Sequence, residues 1–415
     1  MKKIYIYGLG EGKKRLDRCL ITDNVIINAY IDNFKVKSMD EIDGIKIISK
    51  NNIIEPYDYI IVTLMQYKEV KNELLKQGIS SEKIICFFSF EDVNQESYWK
   101  IIDLAKWRIE LMWKDYSERI RPTVNNLLYE MYAPKLLAER KIPQIVDAKR
   151  TAEIIKKDRK CLARFGDAEF EIILGRERTK YQEVDEKLRA RLPQVLNSEL
   201  DNLLVAIADN YGALDKYSDG GAIGIRQYLT SETREEHMKL LDMNRQYYDA
   251  YISRPYIIYR DKQNAKERFD PVIQLWENED VLMIEGEHTR FGVGNNLFEN
   301  ARSVNRILTL DKNCYSVYDN ILDNALKYGK DKLILITLGA TATVLAYDLA
   351  QKGYWAVDIG QFDVEYEWYL RNVKSRCDIP YKTVSEVRQY GDIEGYSANK
   401  VFKDYEKEII AYVRD

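Results

Sequence analysis

Lys332-Leu333-Ile334-Leu335-Ile336-Thr337-Leu338-Gly339-Ala340-Thr341-Ala342-Thr343 decides the fold of this chain. An uninterrupted apolar run of strand length, closed by glycine and leading into a helical stretch that ends near Gly353, reads as a strand buried on both faces with its crossover helix. A second apolar strand, over residues 355–359, follows at once and ends on Gly360. Strand, turn, helix and strand in that order imply parallel pairing, and a parallel sheet places its ligand site at the carboxyl ends of its strands.

The same grammar extends in both directions. A helix over 148–157 leads to a strand over 161–165, closed by Gly166-Asp167-Ala168-Glu169, and another strand is expected over 203–208. A strand over 281–284 runs into the glycine-rich Glu285-Gly286-Glu287-His288-Thr289-Arg290-Phe291-Gly292-Val293-Gly294-Asn295-Asn296, after which a helix through residue 306 is expected. At the amino terminus, a strand over 3–7, Gly8-Leu9-Gly10-Glu11-Gly12, a helix over 13–20 and a strand over 25–31 ending at Asp32 open a Rossmann-like unit. A strand over 59–63, a helix over 67–77 and a strand over 83–87 complete it. Residues 96–140 read as helix interrupted at Pro122 and Pro134. The expected fold class is therefore α/β, with a Rossmann-like N-terminal domain over 1–92, a helical connector over 93–144 and a larger Rossmann-like parallel-sheet catalytic domain over 145–415.

Composition narrows the classes. A chain of 415 residues, 46% hydrophobic, fills more than one core. Its net charge of -4, with both signs well mixed, argues against a dedicated nucleic-acid binder. Cys19, Cys86, Cys161, Cys314 and Cys377 show no C-x-x-C spacing, so neither a zinc site nor a disulfide framework is expected. No apolar run approaches the length of a transmembrane helix, and the first apolar run is too short for a secretory signal. A cytoplasmic location is the expectation, and self-association is compatible with it.

Each loop after a strand carries candidate chemistry. Were the chain still extended at Asp167-Ala168-Glu169, the period of two would send both carboxylates to one side, where a divalent cation offsets their repulsion; a solvated acidic surface is the bland alternative. In the 285–296 loop, glycines admit close backbone approach, Arg290 can grip phosphate bidentately, and the expected helix would offer its N-terminus to an anion. The same loop also reads as a surface excursion whose glycines serve turns. His288 invites a role as base or ligand, with a structural or merely exposed histidine as the bland alternative, whereas His237 lies in a charged helical run and reads as surface. Thr341 or Thr343 can cap the helix after Gly339. Asp358, Gln361, Asp363, Glu365 and Glu367 crowd behind the strand over 355–359, with Asp358 and Asp363 the better candidates for sugar hydroxyls or base chemistry. In Gly8-x-Gly10-x-Gly12 the third glycine falls one position early for the dinucleotide fingerprint, so a plain turn competes with a nucleotide site.

Taken together, Arg164-Phe165-Gly166-Asp167-Ala168-Glu169, Glu285-Gly286-Glu287 with Gly292-Val293-Gly294-Asn295, Leu338-Gly339-Ala340-Thr341-Ala342-Thr343, and Asp358-Ile359-Gly360 with Glu365-Tyr366-Glu367-Trp368 resemble the GT-D fold glycosyltransferases over roughly residues 145–375. The resemblance implies transfer of a hexose from a UDP-sugar to a glycan or glycoprotein acceptor in bacterial surface glycan synthesis. It also implies Mn2+ or Mg2+ held at a D-x-E pair occupied here by Asp167 and Glu169. Glu287, His288 and Asp363 join that pair as catalytic candidates. Arg164, Glu285, Arg290, Gly294, Asn295, Thr341, Asp358 and Gln361 are the candidate nucleotide-sugar contacts. Where the family is expected to place histidine after Asp-Ile-Gly, this chain has Gln361, and an amide is a poorer metal ligand than imidazole. The N-terminal segment separately resembles the small nucleotide-binding-like domains that accompany bacterial sugar-modifying enzymes. Two rivals remain: an NAD-dependent sugar-nucleotide oxidoreductase or epimerase, and a non-catalytic sugar-nucleotide-binding protein.

Overall fold

A computed structural model describes residues 1–33, 35–37, 39–65, 67–90, 96–176, 182–382 and 400–414, which form two compact units, Met1–Arg121 and Pro122–Asp415. In the first unit β1 (Lys2–Tyr7), α1 (Glu11–Cys19), β2 (Val25–Ile31), β3 (Glu41–Ile42), β4 (Ile45–Ile48), β5 (Tyr59–Val62), α2 (Tyr67–Lys76), β6 (Ile84–Cys86) and α3 (Leu104–Asp115) follow in order. The sheet order is β3-β4-β2-β1-β5-β6, parallel apart from the β3–β4 edge hairpin. Ile4 and Ile6 face one core with Leu16, Trp107 and Leu111, while Tyr5 and Tyr7 face another with Ile60, Val62 and Leu74, as strand alternation requires. Gly8 turns the chain at φ +96°, and a Cβ on Gly12 would lie 1.9 Å from the Thr63 carbonyl oxygen. The turn thus demands glycine at position 8, and helix–strand packing demands it at position 12.

The second unit carries α4 (Arg121–Met131), α5 (Ala133–Ala138), β7 (Gln144–Val146), α6 (Ala148–Asp158), β8 (Cys161–Phe165), α7 (Asp167–Ile173), α8 (Glu186–Leu196), β9 (Leu203–Ile207), α9 (Asp219–Tyr228), α10 (Ser231–Leu240) and β10 (Gln246–Asp249). After these come α11 (Ala265–Ile273), β11 (Asp280–Gly286), β12 (Ser303–Thr309), α12 (Tyr318–Tyr328), β13 (Leu333–Thr337), α13 (Ala340–Gln351), β14 (Trp355–Asp358), α14 (Phe362–Leu370), α15 (Lys400–Glu408) and β15 (Ile409–Val413). Side-chain caps start the helices where the sequence supplies them: Asp147 before α6, Asp185 before α8, Ser218 before α9 and Thr230 before α10. Pro134 sits in the first turn of α5, where a missing N–H costs nothing, but the interruption expected at Pro122 does not occur: α3 continues through a π-helical stretch, Tyr116–Ile120, into α4, whose second residue is Pro122.

Nine strands, all paired in parallel, form one sheet in the order β15-β12-β11-β13-β14-β8-β9-β10-β7. Helices α8, α12 and α13 pack on one face and α6, α9, α11 and α14 on the other, so the central strands are buried on both sides. The fold is α/β, as expected. One element differs: the helix expected to run through residue 306 is absent, because residues 297–302 form turns and Ser303–Thr309 is strand β12, paired with β11 along its whole length. Val304, Ile307 and Thr309 are β-branched and suit a strand better than a helix, and sheet pairing decides the matter. The helix N-terminus expected there as an anion seat therefore does not exist.

Candidate active site

Strands β11, β13, β14 and β8 are consecutive neighbours, and the four loops singled out in the sequence leave their carboxyl ends on one edge of the sheet. From β11 the chain moves outward to β12, and from β13 it moves the opposite way to β14, so the topological switch point, where open parallel sheets place their ligands, falls between β11 and β13.

At β8 the chain does not remain extended. Gly166 caps α7, which begins at Asp167, so Asp167 and Glu169 stand about 200° apart around a helix axis. The Gly166 N–H donates to Glu169 Oε2 at 2.7 Å, closing a capping box and burying that carboxyl. Burial raises the pKa of Glu169 and the nearby Asp358 carboxyl adds to the rise, while two backbone N–H donors and Arg164 oppose it. Asp167 is exposed, its Oδ1 accepting from the Ala168 N–H at 3.1 Å. The expectation of two carboxylates on one side fails for this physical reason, and the pair does not fit a cation held between them. Among the described residues no group of three or more His, Cys, Asp or Glu side chains is placed to hold a metal.

Arg164 is committed to the protein. Its Nη2 donates to Asp358 Oδ1 at 2.6 Å, its Nε to the Asp358 carbonyl at 2.9 Å, and its Nη1 to Ser253 Oγ at 2.6 Å. A Cβ on Gly360, at φ +51°, would lie 2.1 Å from Arg164 Nη2, so only glycine lets the guanidinium pass. Desolvation raises the pKa of buried Asp358, and Arg164 pulls it back. Gln361 occupies the N-cap position of α14 without a side-chain cap.

The loop after β11 is tied down at several points. Glu285, fully buried, accepts from Arg306 Nη1 at 2.5 Å and from the Phe291 N–H at 2.7 Å; Arg306 Nε also reaches Glu408 Oε2 at 2.6 Å. Burial pushes the Glu285 carboxyl up against the pull of Arg306. Glu287 accepts from Arg414 Nε at 2.6 Å. His288 Nδ1 sits 2.5 Å from Asp311 Oδ2, and the His288 side chain is 39% exposed. Arg290, only 5% exposed, donates to the Tyr381 carbonyl. Asn295 Nδ2 bridges Asp363 Oδ1 and Glu367 Oε1, both at 2.8 Å, and Lys382 Nζ donates to Asp363 Oδ2 at 2.6 Å inside the protein. Asp363 is thus a buried, paired carboxylate. Gly294 takes φ +83° with open space where a Cβ would point.

After β13, Gly339 at φ +56° is the N-cap of α13, which has no side-chain cap, and nothing lies within 4 Å of where its Cβ would be. Neither expected threonine caps it: Thr341 Oγ1 lies 3.3 Å from Gln182 Oε1, and Thr343 Oγ1 donates to the Arg164 carbonyl at 2.9 Å. A twelve-residue helix with uncapped N–H groups beside open space is suited to an anion.

Sequence reading missed several participants. Asp311, Lys382 and Ser253 complete the pairs above, and only their distance in sequence hid them. Asp249 ends a strand that the pattern did not announce; burial with Asp209 nearby raises its pKa. His237 is corrected from surface to core. It is 1% exposed, stacks on Phe170 of α7 at 4.1 Å, and pairs its Nδ1 with Tyr211 Oη at 2.9 Å and its Nε2 with Tyr228 Oη at 3.1 Å. Arg234, also fully buried on α10 and three residues earlier, shares that inward face, and nothing in the charged run around them signals it.

Residues 162–387 match the family model for glycosyltransferases of GT-D fold, more than half of the chain, and residues 1–85 match the C2185-like N-terminal family. The chain belongs to the GT-D fold glycosyltransferase family. It is 37% identical over 236 residues to a probable glycosyl transferase Gly of Streptococcus gordonii, covering 56% of this chain and 34% of that protein. It is 32% identical over 254 residues to the glycosyltransferase GlyD of Streptococcus pneumoniae, covering 61% and 31%. The chain therefore spans about a third of the length of these curated relatives. A solved structure described as a new glycosyltransferase (DUF1792) from Streptococcus sanguinis superposes with TM-score 0.60 at 32% identity, over 66% of this chain and 100% of that one. Another, reported as domain of unknown function 1792 with a distinct glycosyltransferase fold, gives TM-score 0.62 at 31% identity, over 67% and 98%.

Proposed function

We propose that this protein transfers a hexose from a UDP-sugar to a glycan or glycoprotein acceptor in surface glycan synthesis. The observation that carries the reading is the N-terminus of α13, without a side-chain cap and with open space at Gly339, at the switch point between β11 and β13 of a fold shared with glycosyltransferases. Its N–H groups would receive the diphosphate and stabilise the charge that develops as the leaving group departs, where such a reaction gains most. His288, oriented by Asp311, is the group best placed among the candidates to take the acceptor proton, since Asp363 is buried against Lys382 and Glu287 is engaged by Arg414. Arg164, Asp358 and Gly360 shape the floor between β8 and β14 rather than reach for the ligand. We include a manganese or magnesium requirement in the proposal, although Asp167 and Glu169 stand on different sides of α7 and do not hold a cation between them.

The test is a screen of UDP-, GDP- and TDP-sugars for hydrolysis and transfer, each with manganese, magnesium or chelator. Turnover with UDP-sugars is expected, and His288→Ala should cut kcat by 10²-fold or more on the scale of a lost general base, with little change in UDP affinity. Turnover unaffected by His288→Ala would remove it as base, and the absence of UDP binding would remove the donor assignment.

A further inference from the structure

One turn that belongs to no strand-end loop grips the loop after β11 at three points. The turn spans residues 379–382. It is closed by the Lys382 N–H donating to the Ile379 carbonyl at 3.2 Å and rooted by Ile379, which is buried in the core shared with Phe362 and Trp368 of α14. The Tyr381 carbonyl accepts from the Arg290 guanidinium, and the Tyr381 side chain packs against the cluster of Val293, Leu308 and Tyr405. Lys382 Nζ lies 2.6 Å from Asp363 Oδ2 and 3.4 Å from Glu367 Oε1, the two carboxylates that Asn295 Nδ2 bridges. Arg290 at φ +51° and Tyr381 at φ +66° both hold a left-handed backbone that side chains disfavour, so the contact between them is imposed by its surroundings.

This hold divides the loop. The first half is fixed from β12 and the residues after it: the Glu287 N–H donates to the Thr309 carbonyl at 3.0 Å, and the His288 N–H to Asp311 Oδ1 at 2.9 Å. The second half, residues 290–296, is neither helix nor strand. Apart from Phe291 on Glu285 and Arg306, it is held by α14 and by the 379–382 turn. Lys382 supplies the charge that makes this possible. Asp363 and Glu367 are 2% and 5% exposed, and two buried carboxylates bonded to one amide both stay ionised at little cost only beside a cation. Arg371 reaches Glu367 from the solvent side. Without Lys382 the pair repels, and the seat of Asn295 goes with it. Gly294, at φ +83° with nothing within 4 Å of where its Cβ would be, gives this half of the loop a place where a ligand can approach the backbone on the β11 side of the switch point.

We propose that Lys382 is a positioning residue for the donor: through Asp363, Glu367 and Asn295 it sets residues 290–296 against the bound sugar nucleotide, while His288, anchored separately on Asp311, keeps its place. The identity of that ligand rests on the transfer reading above. The test measures kcat, KM and amide hydrogen exchange on the full chain. Lys382→Met should raise KM for the UDP-sugar on the order of tenfold with kcat kept, the signature of lost binding rather than lost chemistry, whereas His288→Ala gives the reverse. Exchange should quicken over residues 290–296 and stay unchanged over β11 and β13. Lys382→Arg keeps the charge and should restore most of the KM, and Arg371→Met should leave KM, kcat and exchange as in the wild type. Lys382→Met also leaves a buried carboxylate pair without its cation and should melt lower. Asn295→Ala cuts the same link without that imbalance and should raise KM alike, with no further rise when the two are combined. A wild-type KM or wild-type loop exchange in Asn295→Ala or in folded Lys382→Met would overturn the proposal, as would a fall in kcat alone or effects that add. If the wild type turns over no nucleotide sugar, the transfer reading fails, and exchange over 290–296 in the same variants, with UDP affinity from calorimetry, still decides whether Lys382 positions the loop.

Discussion

Arg164 and Glu169 were singled out for chemistry, and the structure engages both inside the protein. Every edge of the Arg164 guanidinium is used, joining β8 to β14 and to the segment after β10. Arg164→Ala strands the buried Asp358 carboxyl, and we expect a loss of about 3–5 kcal/mol in urea unfolding, the cost of leaving half of a buried ion pair. Gly360→Ala should also destabilise, since its Cβ has no room beside the guanidinium. Glu169 makes the opposite case. Its pKa is raised, so the ionised form is the one that folding disfavours, and stability linked to this group increases as pH falls through its folded value. Glu169→Gln keeps an acceptor for the Gly166 N–H and removes the charge, so it should be neutral or slightly stabilising at pH 7, whereas Glu169→Ala should cost about 1 kcal/mol as a lost cap. Melting curves of the two variants check the assignment, and a Gln variant weaker than the Ala variant would contradict the capping role. The residue types at these loops were legible in sequence; their partners, up to 194 positions away, were not.

At the scale of elements, apolar period and turn residues gave strands β1, β2, β8 and β13 nearly to the residue, since each is a short apolar run bounded by glycine or polar residues. They failed at β12, and in the helical run of α10 they missed which positions turn inward, because tertiary context outweighed local pattern. In β12, Arg306 is a charged residue inside a strand, acceptable only because Glu285 and Glu408 meet it from other elements. In α10, the run of charges hid two inward positions, Arg234 and His237. Burial lowers the His237 pKa to about 4, so folding favours the neutral ring. The stability this contributes is fully present above the unfolded value near ~6.5 and is lost as pH falls toward the folded value, a term on the order of 3 kcal/mol. Buried carboxylates with raised values pull the other way, so the wild type alone does not isolate it. The gap in unfolding free energy between wild type and His237→Phe should therefore be widest at pH 7 and shrink toward pH 4.5. A gap that stays constant across that range would show that His237 does not titrate as described.

For the whole molecule, two units with separate cores imply two unfolding steps. Calorimetry should resolve two transitions, and Gly12→Ala, which drives a Cβ into the Thr63 carbonyl, should lower the one belonging to the first unit while leaving the UDP-induced shift of the other intact. The same logic predicts that a chain beginning at Pro122 still binds UDP, because every phosphate feature described above lies after residue 160. A folded 122–415 fragment with no UDP response, or an NAD-induced shift in the intact chain without one from UDP, would move the nucleotide site to the first unit.

By itself the sequence determined the class of fold and the edge of the sheet that matters. Continuous apolar strands ending in glycine pack in only one manner, in parallel between two layers of helix, and that packing puts every following loop on one side. Tertiary structure alone decided what each polar residue in those loops does. A carboxylate one residue removed from another converges with it on a strand and diverges from it on a helix, and whether Asp167 opens a helix depends on the Gly166–Glu169 cap. Whether Asp363, His288 or Arg164 faces solvent or protein is set by Lys382, Asp311 and Asp358, brought to them by strand order rather than by neighbourhood in the chain.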